Sequence, residues 1–215
     1  MLLGGVPGVD PGQVLILGGG SAGSQAAVAA LGLGADVTVV DLSPARLREL
    51  AERHGARLKT VCTTQDAIAR LVAAADLVIG CVLVPGAAAP KLVTRSMLGT
   101  MRPGAVLVDV AIDQGGCFET SRPTTHQAPS FVVDRIVHYC VTNMPGAVPR
   151  SSTFALTNAT LPWVMRLADV GVDAAARADP GLAAGINVRA GRIVHDVVAE
   201  ALRSGPAAQG TCAVG

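Results

Sequence analysis

Apolar residues along this chain gather in short continuous runs, at 14–17, 37–41, 77–83, 105–112 and about 136–142. Runs of that length without polar alternation mark strands buried on both faces. Between most of them, apolar positions recur at helical spacing over 21–34, 44–54, 64–75 and 94–101. Ser43 and Pro44 supply an N-cap and a first-turn proline to the second of these helices. Lys59-Thr-Val61 adds a short strand. Strands alternating with helices predict an α/β fold, a doubly wound parallel Rossmann sheet built with right-handed crossovers.

The pattern changes after Pro149. Residues 152–170 read as one long helix in which Pro162 makes a kink or an internal start. Shorter helices are expected over 179–185 and 190–203, and the Gly/Ala/Pro/Ser-rich tail beyond Arg203 reads as loose. The expected organisation is a Rossmann domain over 1–148, a C-terminal helical segment over 149–203 and a flexible tail over 204–215. The helical segment has no strand of its own to cover.

The first strand run leads into Gly18-Gly-Gly20-Ser-Ala-Gly23, a G-x-G-x-x-G turn, and an alanine-rich helix follows. Gly18 permits the tight turn, Gly20 leaves the backbone open to a pyrophosphate, and Gly23 lets helix pack on strand. The helix N-terminus offers free N–H groups to phosphates. Three glycines alone are a weak signal in a chain with 25 of them. Strand before, helix after and an acid about 20 residues on complete the dinucleotide-binding context. That acid is Asp41, which ends the second strand run. There it can accept both adenosine ribose hydroxyls and repel a 2′-phosphate, which favours NAD over NADP. Arg46 reads either as an adenine or phosphate contact or as a solvated helix residue.

A net charge of +1 and an aromatic content of 2% argue against nucleic acid or an anionic membrane as partner. The five cysteines (Cys62, Cys81, Cys117, Cys140 and Cys212) show no metal-ligand spacing and read as reduced thiols, which points to the cytoplasm. No secretory pattern or membrane span stands out. Asp113 ends the fourth strand run and enters Gln-Gly-Gly116, which puts a carboxylate at the ligand-binding edge of such a sheet. Asp109, within the strand, reads as a hydrogen-bonded structural acid. Asn143 could bond a carboxamide and Met144 pack on a flat ring, or the pair could form an ordinary turn. His54, His126, His138 and His195 lack the spacing of a general base or metal site and read as structural.

Several strings carry a resemblance: Gly4–Val9, Gly18–Gly23, Ala111-Ile-Asp-Gln-Gly-Gly-Cys117, Ser121–Thr125, His138–Val141, Asn143-Met-Pro-Gly-Ala-Val-Pro149 and Ala155–Pro162. Together they resemble the alanine dehydrogenase and pyridine nucleotide transhydrogenase family over nearly the whole chain. The resemblance implies NAD as cofactor and oxidative deamination of L-alanine to pyruvate and ammonium. It places Ser21 and Ala22 by the pyrophosphate, Asp41 and Arg46 at the adenosine end and Thr63 near the adenine. Val82, Leu83, Val110 and the Asn143-Met144 loop then line the nicotinamide side. Asp113 takes the catalytic position between nicotinamide and substrate.

The resemblance also implies a departure, because this sequence begins at a point near the middle of the family's chain. The substrate-gripping lysine and arginine and the acid/base histidine of the family lie in the preceding half. The expectation is therefore an alanine dehydrogenase polypeptide that acts on L-alanine and pyruvate only when an N-terminal-half polypeptide is supplied. The alternatives are a non-catalytic NAD(H)-binding module and a decayed fragment. Homo-oligomerisation is expected from the family and from apolar surface in the helical segment.

Overall fold

The computed structural model describes residues 1–84 and 89–204. These fall into two compact units, one within residues 1–144 and one from 145 onward.

The first unit is built on strands β1 (Gln13–Leu17), β2 (Asp36–Asp41), β3 (Leu58–Cys62), β4 (Leu77–Gly80), β5 (Val106–Asp109), β6 (Ser130–Val133) and β7 (Ile136–Tyr139). Their order across the sheet is β3-β2-β1-β4-β5-β7-β6. All neighbours run parallel except β6 and β7. Helices α1 (Ser21–Gly32), α2 (Pro44–His54), α3 (Gln65–Ala74) and α4 (Arg95–Leu98) lie in the connections. This is the Rossmann-like α/β architecture expected from the alternation of runs.

Period-two alternation along β1 assigns its residues to two cores. Val14 and Ile16 pack with Val37 and Val39 of β2, Ala27 and Ala30 of α1 and Leu50 of α2. Leu15 and Leu17 pack on the other side with Ile68 and Val72 of α3, Val78, Leu98, Leu107 and Phe118. Helices on both faces explain why these strands carry no polar stripe. The reversal of connection direction falls between β1 and β4, so the carboxyl ends of β1, β2, β4 and β5 share the edge where ligands bind in such sheets.

Several boundaries differ from the sequence reading. The runs at 77–83 and 105–112 leave the sheet after Gly80 and Asp109, and their remaining residues form loops at that edge. The helix expected over 94–101 is the single turn Arg95–Leu98. Strand β6, which pattern reading did not find, is a short antiparallel edge strand.

The second unit contains α5 (Pro149–Ala178), α6 (Pro180–Ala184), the strands β8 (Val188–Arg189) and β9 (Arg192–Ile193), and α7 (Asp196–Ser204). Pro162 sits inside α5 and does not start a new helix; the helical path is interrupted at Gly171, with φ 74° and ψ 164°, directly after the expected end at residue 170. That conformation is costly for any residue with a Cβ. The helix expected over 190–203 starts at Asp196. Before it, Ala190 and Gly191 take φ of 47° and 75° and turn β8 back onto β9 as a two-residue hairpin. The expected loose tail lies outside the described residues apart from Ser204. No helix among the described residues is long and apolar enough to cross a membrane.

Candidate functional site

At the carboxyl edge of the sheet a cavity of about 640 Å³ opens. One end is formed by Asp41, Leu42 and Thr63, after β2 and β3, and the floor by Gly18, Gly20, Ser21 and Ala22. The other end is formed by Cys81, Val82, Leu83 and Val84 after β4, Pro90 and Leu92, and Val110 and Ala111 after β5. No lysine, arginine or histidine lines it among the described residues.

The glycines act by different means. Gly18 has φ 95°, and its N–H donates to the Val40 carbonyl at 2.8 Å, which closes the turn onto β2. At Gly23 a Cβ would stand 1.8 Å from the Gly18 carbonyl oxygen, so helix α1 can seat on the turn only without one. At Gly20 a Cβ would meet no protein atom within 4 Å and would project into open space. Gly20 is also the N-cap of α1, with no side-chain cap bond and no acid in the first turn. A helix start of that kind, open to the cavity, is suited to an anion.

Asp41 and Arg46 hold the peptide between Gly18 and Gly20 from both polarities. The Gly19 N–H donates to Asp41 Oδ2 at 2.7 Å, and Arg46 Nε donates to the Gly19 carbonyl at 2.6 Å. Asp41 Oδ1 accepts from the Ser43 N–H at 2.8 Å. Two lone-pair positions of the carboxylate remain for further donors. The Arg46 guanidinium also donates to Ser24 Oγ and pairs with Glu49, and that pairing lowers the Glu49 pKa from the ordinary carboxylate range.

Gly18, Gly20, Ser21, Ala22, Asp41, Thr63, Val82, Leu83 and Val110 are thus brought together around one cavity. Gly23 supports the turn from behind. Arg46 does not line the cavity; it grips the turn. Asp113 is exposed, in a 3₁₀ turn over Ile112–Gln114 that continues the loop from Val110 and Ala111. Asn143, with φ 62°, and Met144 follow β7 and do not line the cavity. The Asn143 carbonyl accepts from His126 Nε2 at 3.0 Å.

Leu17, Val40, Leu42, Cys81, Val84, Pro90, Leu92 and Ala111 line the cavity without having been singled out in the sequence. Most stand at or just beyond strand ends, a signal that locates the edge but not individual side chains. Burial, with a smaller effect of Asp109, pushes the Cys81 thiol up to about 12, and Cys117 higher still, so neither is a ready nucleophile. His138 is fully buried, its Nδ1–H donating to the Ile136 carbonyl and its Nε2 accepting from Thr120 Oγ1 at 2.7 Å. Burial lowers its pKa below the ordinary imidazole value, partly opposed by the bond to Ile136.

Fold and cavity together define a Rossmann-like unit with its cavity at the edge of the sheet where such folds hold a dinucleotide. Residues 1–196 match the family model of the alanine dehydrogenase/PNT C-terminal domain, and the chain belongs to that family. It is 61% identical over 201 residues to an alanine dehydrogenase of Halomonas elongata, covering 94% of this chain and 54% of that protein. Among solved structures, it resembles an L-alanine dehydrogenase with a TM-score of 0.84 and 51% identity, over 94% of this chain and 56% of the other. A transhydrogenase from Sinorhizobium meliloti matches with a TM-score of 0.70 and 28% identity, over 87% and 50%. The chain spans about half the length of the curated relatives it matches.

Proposed function

We propose that this chain binds NAD(H) as the cofactor-holding part of an alanine dehydrogenase, which converts L-alanine, NAD+ and water to pyruvate, ammonium, NADH and a proton. The observation that carries the reading is the open space at Gly20, with the uncapped start of α1 beside it and the Asp41 carboxylate at one end of the same cavity. A pyrophosphate fits where a Cβ is missing, and ribose hydroxyls fit the lone pairs left on Asp41. A 2′-phosphate there would face a carboxylate, and Arg46 is already committed to Gly19, Ser24 and Glu49. NAD is therefore preferred over NADP. Bound NAD supplies the hydride acceptor.

The protein's remaining task is to hold the substrate Cα about 3–3.5 Å from that acceptor and to move a proton. Asp113 is the candidate at the nicotinamide end. Among the described residues the cavity has no cation to clamp a carboxylate and no imidazole to shuttle the proton. Those groups belong to the part of the relatives that this chain does not span, and residues 1–215 by themselves do not turn over alanine. The second reading, a module that binds NAD(H) without catalysis, is favoured by the same lack of a cation.

The test is complementation. The chain is mixed with the N-terminal half of the Halomonas elongata relative, and alanine-dependent NADH formation is followed at 340 nm. Turnover in the mixture and in neither half alone supports the dehydrogenase reading. NADH binding without turnover in the mixture supports the module.

A further inference from the structure

We propose that Lys91 and Asp109 are positioning residues that fix the width of the nicotinamide end of the cavity and the seat of Asp113, a role that rests on the NAD-binding reading above. The loop from Val110 to Phe118 leaves β5 and contains two consecutive left-handed glycines, Gly115 (φ 84°) and Gly116 (φ 74°). The Gly115 and Gly116 N–H groups bond back to the Ile112 and Ala111 carbonyls, while other amides of the loop and the glycine carbonyls are collected by opposite charges.

Asp109 is completely buried beneath the loop. Its carboxylate accepts from the Ala111 N–H at 3.2 Å, the Cys117 N–H at 3.0 Å, the Phe118 N–H at 3.3 Å and the Ser121 hydroxyl. Lys91 takes the carbonyls. Its Nζ donates to Gly115 O at 2.5 Å, Gly116 O at 2.8 Å and Phe118 O at 3.2 Å, and it forms no ion pair among the described residues. At Gly116 a Cβ would stand 2.5 Å from Asp109 Oδ2, so the loop is pressed onto the carboxylate.

Both charges stand next in sequence to residues that line the cavity. Lys91 lies between Pro90 and Leu92, and Asp109 directly precedes Val110 and Ala111. Backbone bonds from Ala89 N to Gln114 O (3.0 Å) and from Leu92 N to Cys117 O (2.8 Å) run beside the clamp. Loss of Lys91 leaves those backbone bonds as the tie between residues 89–92 and the Asp113 loop, and frees the Gly115, Gly116 and Phe118 carbonyls, so the loop is held less tightly beside the cavity. The adenosine end, built on Asp41 and the glycine turn, shares none of these bonds.

That separation provides a readout which a general structural role would not move. NADH and ADP-ribose, which lacks the nicotinamide, are titrated by calorimetry into the wild-type chain and the Lys91→Met variant. Lys91 is exposed, so the variant keeps its core. The expected result is NADH weakened at least fivefold, ADP-ribose unchanged within twofold, and faster amide exchange over residues 110–118. Lys91→Arg, which keeps the charge, recovers part of the NADH affinity. Equal weakening of both ligands, or no change in either, overturns the proposal. A wild-type chain that binds neither overturns the NAD-binding reading, and unaltered exchange over 110–118 in Lys91→Met then overturns the clamp separately.

Discussion

Replacing Gly23 and Gly20 one at a time by alanine separates folding from cofactor binding within a single turn. At Gly23 the new methyl would stand 1.8 Å from the Gly18 carbonyl oxygen and 3.0 Å from its carbon. That is roughly 1.5 Å short of ordinary contact, so α1 must lift from β1. Overpacking of this kind costs about 1–3 kcal/mol, offset by about 1 kcal/mol from alanine's better helix propensity. Taking the upper end, a net loss of about 2 kcal/mol lowers the melting temperature by roughly 4–8 °C in a chain of this size. At Gly20 the methyl meets no protein atom within 4 Å, and φ −63° suits alanine. Its stability cost is at most the helix-cap difference of about 1 kcal/mol. It does occupy the space assigned to the pyrophosphate, so NADH affinity falls by more than tenfold, or about 1.4 kcal/mol. Calorimetric melting and NADH fluorescence titration of both variants check this. Gly23→Ala melting within a degree of wild type would refute the packing argument. Gly20→Ala binding NADH at wild-type strength would refute the phosphate assignment.

Other outcomes follow from the same geometry. Asp41→Asn removes the charge that faces a 2′-phosphate, so the ratio of NADPH to NADH affinity rises, read by paired titrations. Arg46→Ala leaves the Gly19 carbonyl without its guanidinium, and NADH affinity falls about tenfold, the order expected for a charged hydrogen bond. Burial holds the folded-state pKa of His138 below its unfolded value of 6.5, so the unfolded chain binds the extra proton first. That stability is complete above pH 6.5 and declines as pH falls from there toward the folded pKa, and His138→Gln flattens this part of the melting-temperature profile. In a Cys212→Ser background, Cys62, exposed among the described cysteines, reacts rapidly with Ellman's reagent at pH 8, whereas buried Cys81, Cys117 and Cys140 react slowly.

Legibility in the sequence followed how local the physics was. Strands β1, β2, β4, β5 and β7 were visible because burial on both faces forbids polar interruptions. The glycine turn and Asp41 were visible because strand, turn and helix are adjacent in sequence. Edge strand β6 was not, since Ser130-Phe-Val-Val133 is short and only partly buried. The hairpin at 188–193 was hidden because Val-Arg-Ala-Gly-Arg-Ile carries helix-compatible residues, and the left-handed Ala190-Gly191 turn leaves little trace in composition. The long helix was legible up to residue 170, where Gly171 supplies a φ that ends the helical path; the missing N–H of Pro162 is tolerated inside it without an internal start. In the site, residues lining the cavity by position were accessible to reasoning from strand ends. The grip of Arg46 on Gly19 and of Lys91 on Gly115, Gly116 and Phe118 joins segments that sequence spacing does not relate.

Whether this chain by itself holds NAD(H) is decided by NADH fluorescence titration of the purified protein with NADPH in parallel. NADH fluorescence rises saturably, and NADPH binds at least tenfold more weakly because its 2′-phosphate meets Asp41. A flat NADH titration, or equal affinity for the two dinucleotides, would contradict the NAD(H)-binding reading.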